Sequence, residues 1–137
     1  MNRTIKFRGK RLKIDDPLER WIDGALCTYK DIRDTERCHV VSQSGYHNDV
    51  APATIGQFTG LLDKNGKEIY EGDIVRYYDD IEDELVSGYV IYHKESCSFC
   101  IVPAKLCGDY IGLNVYWQFE VIGNIYDNPE LLKGGEE

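Results

Sequence analysis

The chain has 137 residues, 42% of them hydrophobic, and a formal net charge of −8. That length suits one domain or two very small ones, and the apolar share is sufficient for a packed core. The acidic balance argues against non-specific nucleic-acid binding, which depends on phosphate neutralisation by Lys and Arg. Four prolines and no low-complexity run argue against global disorder.

The first 13 residues, MNRTIKFRGKRLK, carry six Lys/Arg and no acid. No apolar run of signal-peptide length, about 7–15 residues, follows them, and no stretch approaches a membrane span. Ile5 and Phe7 alternate with Lys6 and Arg8, and Leu12 and Ile14 resume an apolar face after Gly9. The pattern predicts a strand, kinked or bulged near the glycine. DDPLE at 15–19 is turn chemistry. RWIDGALCTY, 20–29, reads as the returning strand of a hairpin, with a short helix opening at Asp16-Pro17 as the rival. CHVVS, 38–42, predicts a further strand, and SGYHNDVAPAT, 44–54, a loop or one helical turn.

QFTGLL, 57–62, predicts a strand. DKNG, 63–66, fits a type I turn followed by Gly66 in the left-handed region, so that Glu68–Tyr70 pairs back. Glu71-Gly72-Asp73 makes a second corner before IVRYY. DDIEDEL then predicts an acidic loop, with Asp79, Asp80, Glu82, Asp83 and Glu84 close together. GYVIYH (88–93), SFCIV (98–102) and VYWQFEVIGNIY (115–126) continue the β pattern, and DNPELL predicts a short capped helical turn. The class is mostly β, a small barrel or sandwich. The division expected is a β-rich segment over 1–56 and a barrel over 57–137, packed as one compact unit.

Two ligand-loop readings of the glycine-rich stretch fail. A phosphate loop needs four residues between its glycines and then Lys-Ser/Thr; here five separate Gly60 from Gly66, and Glu68 follows Lys67. A calcium loop from Asp63 needs Gly at its sixth position and Glu at its twelfth, which are Glu68 and Ile74. The Gly66 position therefore serves backbone geometry, and Glu71 and Asp73 read as corner chemistry rather than an acid–base pair. Cys97-Ser-Phe-Cys100 is the sharpest remaining signal. With Cys107 and His93 it could supply four zinc ligands, but an odd spacing on a regular strand points the two thiols apart. The five cysteines are expected to be reduced thiols of a cytoplasmic protein. No metal, cofactor or catalytic residue is expected. His39 and Cys38, neighbours on a strand, point to opposite faces.

TIGQFTGLLDKNGKEIYEGDIV, 54–75, resembles the signature of the YopX family of phage and prophage proteins through Gln57, Thr59, Gly60, Asp63, Gly66, Tyr70, Glu71, Gly72 and Asp73, with Phe58, Leu61 and Ile69 between them. IKFRGK at 5–10, WIDG at 21–24 and FEVIGNIYDNPELL at 119–132 resemble its other elements in order. The resemblance implies an SH3-like small barrel for the C-terminal part and favours the hairpin over the helix at 15–29. It implies an accessory protein without an assigned chemistry, and it says nothing of the CxxC or the acidic loop. The reading is a non-enzymatic binding or regulatory module whose partner is a protein or a second copy of itself. Two alternatives are a nucleic-acid-associated protein using the basic strand, and an acidic mimic of DNA using residues 79–84. An enzyme is a third.

Overall fold

The computed structural model describes residues 3–13, 20–80, 82–104, 110–113 and 118–136. The chain divides into two compact units, Met1–Phe58 and Thr59–Glu137.

In the first unit, β1 (Phe7–Lys10), β2 (Trp21–Lys30), β3 (Glu36–Val41), β4 (His47–Asp49) and the start of β5 (Gly56–Leu62) lie in the order β4-β3-β2-β1-β5, with antiparallel neighbours. A 3-10 turn, Pro52–Thr54, leads into β5. Register pairs Arg8 with Asp23 and Lys10 with Trp21. The two-residue period therefore sets Lys6, Arg8 and Lys10 on one face and Phe7 and Gly9 on the other. Cys38, Val40 and Val50 are buried, with Ile22, Leu26 and Ile55 packed against them. Burying each such Val contributes about 1.5–3 kcal/mol, which explains how a small sheet with an exposed polar face holds its register.

The hairpin predicted from residue 4 to residue 29 is present, with its turn outside the described residues. The loop or single helical turn expected at 44–54 holds both a strand, β4, and the 3-10 turn Pro52–Thr54. His-Asn-Asp has poor strand propensity. The strand forms because β3 offers it a ladder, and because the Asn48 side chain donates to Tyr46 O at 3.2 Å. Tertiary pairing overrides local preference.

In the second unit, the end of β5 turns back as β6 (Glu68–Tyr70). A five-stranded antiparallel sheet follows: β7 (Asp73–Asp79), β8 (Glu84–His93), β9 (Ser98–Pro103), β10 (Ile111–Gly112) and β11 (Glu120–Asn124), in the order β10-β9-β8-β7-β11. Alternation buries Val75 and Tyr77 of β7, Val86 and Val90 of β8, and Ile101 of β9 in one cluster with Ile69 and Phe119. The Tyr77 and Phe119 rings meet edge-on at 5.5 Å. The ladder between β11 and β7 shifts register between Val121 and Gly123.

Two expectations need correction here. The barrel implied by the resemblance does not close among the described residues: β10 pairs with β9 and β11 with β7, so the sheet keeps two edges. The acidic loop is shorter than expected, because Asp79 and Glu84 are paired strand positions and only 80–83 connect them. The short C-terminal helical turn expected at DNPELL is present, as the 3-10 helix Pro129–Glu136. Among the described residues no helix is long and apolar enough to cross a membrane.

Candidate functional site

The signature residues build two corners of the second unit. Asp63 is 7% exposed. Its Oδ1 accepts the backbone N–H groups of Asn65 (2.8 Å) and Lys67 (2.9 Å), and its Oδ2 accepts that of Val121 (2.9 Å). Burial raises its pKa, but the donors at Val121, Lys67 and Asn65 outweigh burial and hold the carboxyl below its ordinary value. Gly66 has φ +84 and its N–H returns to Asp63 O at 3.0 Å. This is the turn the sequence predicts. Thr59 Oγ1 donates to Ile69 O at 2.8 Å, across the same hairpin.

The second corner is similar. Asp73, 1% exposed, accepts the Tyr70 N–H through Oδ2 at 2.8 Å. Gly72, at φ +89, donates to Val90 O and accepts from Ile125 N, both at 2.9 Å. Tyr70 Oη donates to Glu68 at 3.0 Å. Glu71 is half-buried beside it, Gln57 stands opposite Phe7 on β1 in the first unit, and Gly60 is exposed at φ +90. The carboxylates of both corners hold backbone donors, which suits turn formation.

The zinc candidates among the described residues, Cys97, Cys100 and His93, are not gathered into a metal-binding group. Cys97 sits in the turn before β9 with φ +52, its N–H bonded to Lys94 O at 3.2 Å. Cys100 is buried on β9. His93 Nδ1 lies 2.8 Å from Ser96 Oγ, and its ring centroid is 4.5 Å from that of Tyr110, the two rings tilted at 43°. Cys107 lies outside the described residues. Among the described residues no three His, Cys, Asp or Glu side chains are placed to hold a metal ion.

In the first unit, the basic strand spends its charge locally. Arg8 lies over the Trp21 ring at 4.7 Å, Lys10 at 6.0 Å, and Lys6 is 3.3 Å from Asp23. The exposed face of β2-β3-β4 carries a cluster that sequence reasoning missed. His39 Nε2 lies 2.6 Å from Asp49 Oδ1 and 3.1 Å from Tyr29 Oη, and the His47 ring is 5.9 Å away. The only signal available was that His39 and Asp49 fall on one face if β4 exists.

In the second unit a cleft of about 320 Å3 lies at the turn end of the β7-β8 hairpin. Its floor is apolar, from Tyr77, Val86, Pro103 and Ile111. Its rim is acidic, from Asp79, Glu82 and Glu84. Tyr77 faces Val86 across the ladder, and Asp79 faces Glu84. Burial, and then the neighbouring Asp79 charge, push the Tyr77 hydroxyl up to about 12. An apolar floor with a charged rim suits a long side chain with a polar tip.

A family model described as YopX protein matches residues 6–133. No curated protein matches the chain.

Proposed function

The chain belongs to the YopX family, and from that premise we propose a phage- or prophage-encoded accessory protein of the cytoplasm that acts by binding another protein rather than by catalysis. The observation that carries this reading is the cleft of the second unit, where three acidic side chains rim an apolar floor. Such a site fits recognition better than chemistry: among the described residues its acids surround no nucleophile, and its floor offers hydrophobic contact. The SH3-like likeness belongs to the same reading. It is supported by the meander β7-β8-β9-β10 and by β11 returning beside β7, and such sheets commonly act by presenting loops and grooves, although fold alone does not fix function. Exposed thiols at Cys27 and Cys97 suit a reducing compartment.

The test is site-specific photo-crosslinking in cells that naturally produce the protein. Benzoylphenylalanine at position 111 should give a discrete adduct with a second protein. The same probe in place of the exposed Tyr46 should not. No adduct at 111, or equal adducts at both positions, would remove the reading. An adduct at twice the chain mass would replace a foreign partner with a second copy of the chain.

A further inference from the structure

We infer that the β2-β3 hairpin is an arm that seats Ile32 of one copy of the chain in the apolar cleft of a second copy. The inference deepens the binding-module reading, on which it rests, by naming what fills the cleft in the purified protein. Three observations converge.

The first is the arm. β2 and β3 stay paired as far as Lys30 and Glu36, two positions past the buried Cys38 and its partner Thr28. From Thr28 to Arg37 every residue except Asp31 is exposed, so the distal hairpin has solvent on both faces. At its apex Ile32 is 103% exposed, the most exposed large apolar residue of those described. Single apolar side chains on a surface are ordinary; this one is set apart by the turn that holds it out.

The second is the rigidity of that turn. Asp31 Oδ1 accepts the N–H groups of Arg33 (2.9 Å) and Thr35 (3.0 Å), and Oδ2 accepts from Arg37 Nε at 3.1 Å. The Asp31 N–H donates to Thr35 O at 3.0 Å, and Asp34, at φ +62, returns its N–H to Asp31 O at 2.9 Å. Lys30 reaches Asp34 at 3.6 Å. The tip is therefore built before a partner arrives. A β-branched side chain also has few rotamers to lose. Docking a preformed tip costs little ordering entropy, which lets one apolar residue anchor a contact.

The third is charge, and it points to a second copy. Met1–Phe58 holds ten Lys/Arg against eight Asp/Glu, whereas Thr59–Glu137 holds six against sixteen. Two copies attract when the first unit of one meets the second unit of the other, and repel when two second units meet. Arg33, beside Ile32, has no ion pair among the described residues, so the tip leads with a positive charge. This attraction belongs to the whole unit and requires no free carboxylate at the cleft. The contact itself is apolar, Ile32 against Tyr77, Val86, Pro103 and Ile111 in a cleft of about 320 Å3. A foreign protein that enters the cleft displaces the arm.

The test is sedimentation velocity over a wide concentration range, beside photo-crosslinking of the purified chain. The wild type should grow beyond the monomer as concentration rises. Ile32→Asp should weaken that association at least about tenfold with an unchanged urea midpoint, and Tyr46→Asp, at another exposed aromatic, by less than about twofold. Benzoylphenylalanine at position 32, in a mixture of nitrogen-labelled and unlabelled chains, should join one copy to the tryptic peptide 77–94 of the other. A monomer at every concentration would overturn the inference. So would equal weakening in both Asp variants, or an intermolecular crosslink that maps outside the cleft. If Ile32→Asp does not fold, the crosslink map decides. A foreign adduct at position 111 in cells, with a monomeric purified chain, would keep the binding-module reading and end this inference. No adduct at 111 and a monomeric chain would end both.

Discussion

The Asp63 carboxylate accepts the backbone N–H of Val121 at 2.9 Å, joining the DKNG turn to β11. Two further donors, from Asn65 and Lys67, complete its shell. Asp63→Ala should destabilise by about 2–4 kcal/mol, because three part-buried backbone donors lose a charged acceptor. Asn in its place should recover part of that loss. Urea denaturation measures both; wild-type midpoints would refute the assignment. The same carboxyl gives an acid limb. Its folded pKa lies below its unfolded value of about 3.9, so its stabilisation is present above that value and is lost as pH falls through the folded pKa. Asp31 and Glu120 are shifted in the same direction, by the Thr35 N–H and the Arg76 guanidinium first, and add to the limb. Asp63→Asn should flatten the limb without abolishing it.

Gly66 and Gly72 both sit in the left-handed region, at φ +84 and +89, but their surroundings differ. A Cβ at Gly66 meets nothing within 4 Å; one at Gly72 lies 3.0 Å from Tyr126 Cε2. Gly66→Val should therefore cost about 1–3 kcal/mol from backbone strain. Gly72→Val should cost more, because Tyr126 must also move. Equal urea midpoints for the two variants would show that Tyr126 yields freely, and unchanged midpoints would show that the glycines do not serve the turns.

Tyr77 supplies an alkaline limb of opposite sign. Its pKa rises from about 10 in the unfolded chain to about 12 in the folded one, so the neutral phenol stabilises fully below pH 10 and its contribution fades towards pH 12. Tyr92 is also raised, by desolvation first and then by Cys97, and contributes in the same direction. Melting curves between pH 8 and about 11 should fall less steeply for Tyr77→Phe than for the wild type. Parallel curves would mean that Tyr77 does not control the limb.

The four described cysteines divide by access. Cys27 and Cys97 are exposed, whereas Cys38 and Cys100 are buried, and burial pushes the Cys38 thiol up. Alkylation followed by mass spectrometry should label Cys27 and Cys97 in the native protein, and Cys38 and Cys100 only after unfolding. A chelator should leave native mass and labelling unchanged. Protection of Cys97 that a chelator removes would restore the zinc reading of CSFC.

The β pattern was legible wherever alternation was strong. Val75 with Tyr77, and Val86 with Val90, announce buried faces on sequence alone, and DKNG announces its turn because Gly66 needs a positive φ. Other features were hidden for identifiable reasons. β4 is made of His, Asn and Asp, and exists only because β3 pairs with it. β10 is two residues long, below the reach of any periodicity. The cleft joins Tyr77 and Asp79 to Pro103 and Ile111, and no local spacing reports a relation between strands. The acidic run was visible, but its extent was misjudged: charge suggested a loop where Asp79 and Glu84 are ladder positions.

The bond from Asp63 to Val121 spans 58 positions of sequence. During synthesis, Asn65 and Lys67 emerge within moments of Asp63 and can close the DKNG turn at once. The third donor must wait until β11 has been made, and β7 lacks its second neighbour for the same interval. A nascent chain stopped before residue 120 would hold a preformed hairpin with an unfinished carboxylate and a sheet in which β7 is an edge strand. Completion of the second unit is thus tied to translation of its last strand, an order imposed by the wiring of a single side chain.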